Sequence, residues 1–115
     1  MLKIGGNALG VERGSVLVFS DVEDGGIMWT GEGPRLARRP VEFSQPFLAP
    51  PVVLVTLEMW DIDQTSNQRA DITADEIAVD RFDVVFKTWG DTRVARVRVG
   101  WLAIGQLADP DIWKL

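Results

Sequence analysis

K-T-W-G-D-T-R-V-A-R-V-R-V-G-W-L-A-I-G, residues 87 to 105, decides how this chain folds. From Val94 onward apolar and charged residues alternate. Ala95, Val97, Val99, Trp101 and Ala103 fall on one face, with Arg96 and Arg98 opposite. A period of two belongs to a strand with one face buried. Trp89 ends the strand before it, and Gly90-Asp91-Thr92 reads as a polar turn between the two. A ring at a strand end beside a small polar turn is well placed to wall a shallow site. Its flat apolar face suits a sugar better than a reactive substrate.

The same period extends toward the N-terminus. Phe82, Val84 and Phe86 alternate with Asp83, Val85, Lys87 and Trp89. Arg69 to Ile77 sets Ala70, Ile72 and Ala74 against Arg69, Asp71, Thr73 and Asp75. D-I-D-Q-T-S-N-Q, residues 61 to 68, is a turn by composition. Residues 52 to 60, V-V-L-V-T-L-E-M-W, are apolar on both faces in their first half, as a central strand would be. Pro50-Pro51 launches that run in extended geometry. A further strand is expected near Val41 to Phe43, where Pro40 marks a strand entry or a sheet edge. The first strand is expected over Val16 to Phe19. Between these two lies a Gly- and acid-rich loop, residues 21 to 34, and long ordered loops in small domains are more often functional than not.

Six strands with short connections and no convincing helix predict an all-β fold, a six-stranded antiparallel β-sandwich. One domain is expected over residues 1–115, with its core about 11–105 and an extended C-terminal arm over 106–115 whose Trp113 docks on a neighbour.

Composition narrows the function. Hydrophobic residues make up 46% of the 115, too many for a disordered segment. The net charge of −5 argues against a nucleic-acid binder or a binder of anionic membranes. The chain has no Cys and no His, so thiolate chemistry and the commonest general base are both missing. No nucleophile–base motif is visible, and a domain this small has little room for a glycosidase cleft. A binding protein without cofactor is therefore expected, not an enzyme. No apolar run reaches the ~20 residues of a spanning helix, and no export signal is visible. An extracellular or virion-associated setting stays open.

Longer-range spacing adds a resemblance. F-x-x-P-F-x-x-P-P-V-V-L-V (Phe43 to Val55), D-x-x-x-x-x-N-x-R (Asp61 to Arg69), F-x-x-x-x-x-T-W-x-x-T-x-V (Phe82 to Val94) and W-L-A-I (Trp101 to Ile104) follow one another in order. Together they resemble the H-type lectin domain, the family of the snail agglutinin and of the discoidin C-terminal domain, from about Val11 to Gly105. The resemblance implies a homotrimer or hexamer with sugar sites at protomer boundaries. Their preference would be for galactose or N-acetylgalactosamine glycans, in a setting of cell adhesion. It puts the sugar-contacting arginine on Arg69, the stacking tryptophan on Trp89 and the carboxylate of the first long loop on Glu32, one methylene longer than the family's Asp. The expected sugar site is Glu32, Arg69, Trp89, Gly90 and Asp91. Where the family has an imidazole and a phenol, this chain has Gly90 and Ala95. Trp29, Thr30 and Asp91 are candidates to compensate.

Other roles remain open for the same residues. Trp89 also fits a core or interface aromatic, and Trp60 and Trp101 read as packing residues. Arg69 also fits an ion pair with Asp71 or with a neighbouring subunit. Asp21, Glu23 and Asp24, or Asp61 and Asp63, have the oxygen chemistry of a calcium site. Arg93, Arg96 and Arg98 are expected to pair with acids across strands. The second functional class is a trimeric adhesion or phage-tail-type module in which sugar binding is altered or lost.

Overall fold

The structure, a computed structural model, describes residues 1–5 and 8–108. Its elements run β1 (Leu9–Ser20), α1 (Asp21–Asp24), α2 (Ile27–Thr30), β2 (Arg35–Glu42), β3 (Val52–Ile62), β4 (Asp71–Asp75), β5 (Arg81–Thr88) and β6 (Val94–Gln106). Six strands form two three-stranded antiparallel sheets, in the orders β1-β6-β3 and β2-β5-β4. The expected six-stranded antiparallel sandwich is present.

The alternation around Trp101 explains why the sheets stack. On β6, Val94, Val97, Val99, Trp101 and Ala103 are buried while Arg96 and Arg98 are exposed. From the other sheet Phe82, Val84 and Phe86 are fully buried against them. The Phe82 and Trp101 rings meet edge-on at 5.5 Å, and Phe43 stacks on Phe82 at 5.7 Å. Each such ring contributes about 1.5–3 kcal/mol by burial. Trp101 needs Gly14 on the neighbouring strand, since a Cβ there would stand 2.6 Å from the indole.

Five expectations need correction. β3 is an edge strand and β6 the central one. Its doubly apolar start reflects an outer sheet face that is itself apolar, not burial on both sides. β1 begins at Leu9, because Leu9 to Ser15 pair with Gln106 back to Gly100. β2 begins at Arg35 and carries Pro40 in its interior, tolerated on an edge strand. The loop over 21–34 contains two one-turn helices. The expected arm starts inside β6 at Gln106, and Leu107 donates its N–H to Ala8. Trp113 lies outside the described residues.

The two outer faces differ. That of β2-β5-β4 is polar and internally paired: Arg38 bridges Asp75 and Asp83 at 3.1 and 3.0 Å, and Arg81 reaches Asp83 at 3.2 Å. That of β1-β6-β3 carries the cross-strand row Val11–Ile104–Val52, and beside it Leu102 and Leu54. Val11, Val52 and Leu54 are all exposed, Leu54 at 58%. Trp60 is 56% exposed and so does not pack in the core of this chain, whereas Trp101 does.

Candidate functional site

The residues around Trp89 are gathered by three segments at one end of the sandwich. The first is the turn joining β5 to β6. Gly90 has φ +68°, a left-handed conformation that suits glycine. A side chain at position 90 would also start 2.9 Å from Arg69 Nη1. Arg69 would have to shift to admit a side chain there.

The second segment is the stretch before β4. Arg69 donates to Asp91 Oδ1 at 2.5 Å and to the Thr92 hydroxyl at 3.5 Å. Its carbonyl accepts from Thr88 Oγ1 at 2.6 Å, which ties the stretch to the end of β5. Thr92 is fully buried and donates to the Asn67 carbonyl. The alternative ion pair of Arg69 with Asp71 is not formed; Asp91 is the partner. Arg69, with backbone and side-chain bonds from Asn67, holds the Asp91 carboxyl below the ordinary carboxylate range.

The third segment is the loop over 21–34. Asp21 accepts from the Met28 N–H at 3.0 Å, and Met28 is buried. Gly33, at φ +75°, donates its N–H to the Gly90 carbonyl at 2.9 Å. Glu32 is exposed on the residue just before it. The backbone thus places Glu32 beside the Trp89–Gly90 turn, although the two are far apart in sequence.

Arg35 is the residue that sequence reasoning missed. It is only 7% exposed. Its guanidinium donates to the carbonyls of Gly33 (2.9 Å), Met28 (3.2 Å), Ile27 (3.4 Å) and Gly90 (3.2 Å). A buried charge is tolerated when its donors are satisfied, and here four carbonyls do so while joining the loop to the turn. The alternation of β2 was a usable signal: Arg35 shares its inward face with Ala37, Arg39 and Val41.

An open depression of about 340 Å3 lies beside Trp89, lined by Pro34, Arg35, Leu36, Lys87 and Thr88 as well as the ring. Trp89 is 45% exposed, so it is not a core aromatic of this chain. Arg69, Gly90 and Asp91 do not line this depression. Arg69 is already engaged by Asp91 at 2.5 Å. Ala95 is buried in β6. Thr30 spends its hydroxyl on the carbonyls of Gly25 and Gly26. The Arg93 guanidinium covers the Trp29 ring at 4.7 Å and donates to the Trp29 carbonyl at 2.9 Å. Of the candidate compensating residues, Asp91 alone is inside the cluster.

Three of the five candidate calcium carboxylates have other partners, Asp21 through the Met28 N–H. Asp61 pairs with Arg96 at 3.1 Å, and Asp63 accepts from Thr65 at 2.9 Å. Arg98 meets Glu58 at 3.6 Å and Arg93 meets Asp63 at 3.9 Å, the cross-strand pairing expected of the basic stripe. Among the described residues no three acids stand close enough to share a cation, and no helix is long and apolar enough to cross a membrane.

The two stacked three-stranded antiparallel sheets place the chain in the class of β-sandwich domains. The model of the H-type lectin domain matches residues 38–104, more than half of the chain, and the protein belongs to that family. Arg69, Trp89, Gly90 and Asp91 fall inside the matched span, and Glu32 outside it. The chain is similar at 52% identity, over 100% of its length and 99% of the relative's, to a Fuscovulum blasticum protein called ATP synthase subunits region ORF 7. Its fold is similar to recombinant discoidin II of Dictyostelium discoideum, with a TM-score of 0.76 and 23% identity over 93% of this chain. Wild-type discoidin II gives the same TM-score over 90% of this chain. The chain spans 41% and 40% of the lengths of those two discoidin chains.

Proposed function

We propose that this protein is a lectin, binding galactose- or N-acetylgalactosamine-type sugars at protomer boundaries of a homotrimer or hexamer. The supporting observation is the half-exposed Trp89 ring at the rim of an open depression, with the Glu32 loop tied to the same turn through Gly33 and Gly90. An indole face packs on the apolar side of a pyranose, and a carboxylate accepts from adjacent hydroxyls. The apolar row Val11–Ile104–Val52 with Leu54 supports self-assembly, because exposed contiguous apolar surface marks interaction sites. Weak single sites gain avidity when a closed trimer presents several together. A glycan array followed by titration of wild type and Trp89→Ala tests the reading. Binding of a galactoside that Trp89→Ala abolishes supports it; an array without binders sinks it.

A second reading has its own support. Arg69 is engaged by Asp91, and Gly90 offers no side chain. A trimeric adhesion or appendage module with sugar binding lost fits those two facts. A trimer in light scattering with no glycan bound would select it.

A further inference from the structure

Lys87 stands in the Trp89 depression. In register, Leu36 faces Lys87 and Arg35 faces Thr88. Arg35 and Thr88 turn inward and are buried; Leu36 and Lys87 turn outward and are exposed. Trp89, two residues beyond Lys87, opens on the same side. The result is an apolar floor of Pro34, Leu36 and the indole, with one ammonium at its edge. Its volume of about 340 Å3 falls within the ~300–1,000 Å3 range of ligand pockets.

The charges nearby are already distributed. Arg35 is consumed by four backbone carbonyls. Arg69 is paired with Asp91, and Arg38 and Arg81 with Asp75 and Asp83. Lys87 forms no ion pair among the described residues, although Asp71 stands across from it in register. It is the cation of this face left available, and it lies beside the stacking ring.

We propose that Lys87 is a specificity-determining residue of this site and selects saccharides bearing an anionic group, a carboxylate or a sulfate ester, over neutral ones. This rests on the lectin reading above. The ring would stack on the pyranose, and the ammonium would donate to the anion in a charge-assisted hydrogen bond, stronger than a neutral one. A lysine on a flexible stem is a point charge without a fixed fork, so it accepts a carboxylate or a sulfate.

The test is titration of the full-length protein with methyl galactoside, galacturonic acid, a galactose sulfate and sialyllactose, at low and at high salt. The acidic ligands should bind more tightly than the neutral one, and the margin should shrink with salt. The comparison among the three acids tells a carboxylate on the ring, a carboxylate on a branch and a sulfate apart. Lys87→Gln should weaken acidic ligands about two- to fivefold more than it weakens methyl galactoside, and Lys87→Arg should keep the margin. Equal binding of neutral and acidic ligands, or equal loss of both in Lys87→Gln, overturns the role of Lys87 and leaves the lectin reading standing. If no saccharide binds, or if Trp89→Ala changes none of them, both fall together.

Discussion

Arg35 Nη2 donates a hydrogen bond to the carbonyl oxygen of Gly90 at 3.2 Å, across 55 positions of sequence. That contact and the Gly33–Gly90 bond make the candidate site a single unit, joining a loop before β2 to the turn after β5. Three further carbonyls share the same guanidinium. The geometry at Trp89 therefore depends on a buried residue whose guanidinium bonds are all to backbone carbonyls.

Arg35→Ala should destabilise the fold by about 2–3 kcal/mol, since it strands buried acceptors that a charged donor now satisfies. Urea denaturation measures the loss. Hydrogen exchange should place the extra opening in residues 21 to 34 and at Gly90. A loss under ~0.5 kcal/mol, the range of ordinary surface changes, would show that the loop is held by other contacts.

Gly90→Ala and Gly25→Ala form a matched test. Both glycines have positive φ, +68° and +64°, so each alanine costs about 1–2 kcal/mol of backbone strain. Only position 90 has Arg69 Nη1 at 2.9 Å from the added carbon; position 25 has nothing within 4 Å. The excess loss at Gly90 in thermal unfolding reports the collision, and the Arg69–Asp91 pair should loosen with it. Equal losses would show that the guanidinium moves aside freely.

Acid should weaken the turn. The folded Asp91 carboxyl titrates below its ordinary value of 3.8, chiefly because Arg69 donates to it. The unfolded chain then binds more protons than the folded one between the two pKa values. The pair's contribution is complete above about pH 4. It is lost as pH falls through the folded pKa. Asp63 and Asp75 are depressed in the same direction, by Thr65 and by Arg38. Urea midpoints of wild type and Asp91→Asn should differ at pH 6 and converge toward pH 2. A gap that stays constant across that range would dissociate Asp91 from acid sensitivity.

Leu54→Asp should separate assembly from folding. Leu54 is 58% exposed on the apolar outer face of β1-β6-β3, so the charge lands on surface within the protomer and on the face proposed above for self-assembly. Light scattering should report smaller particles, with circular dichroism unchanged. Trp101→Ala, by contrast, should cost about 3–5 kcal/mol, because its ring is buried between the sheets. An unchanged particle size in Leu54→Asp would move the assembly surface elsewhere.

Much of this was legible in the residues themselves. The alternation from Val94 to Ala103 marks a strand and says which face is buried, because side-chain direction along a strand is a local property. The same holds for Phe82, Val84 and Phe86, and for Gly90 in its turn. The order of motifs from Phe43 to Ile104 was enough to indicate the family. Strand order was not legible. β3 looks central by hydropathy yet sits at an edge, since period two shows which way a side chain points but not which strand lies alongside.

The site divides along the same line. Trp89, Arg69, Gly90, Asp91 and Glu32 were recognisable as residues, and Trp89 as an open ring beside a turn. Only the tertiary structure paired Arg69 with Asp91, turned Arg35 inward onto four carbonyls and left Lys87 next to the indole without an ion pair among the described residues. These outcomes join segments tens of residues apart, where several partners of equal chemistry compete and packing selects among them. Local sequence determined what each strand is and which way its side chains face. The stacking of two sheets decided which charges were consumed and which remained for a ligand.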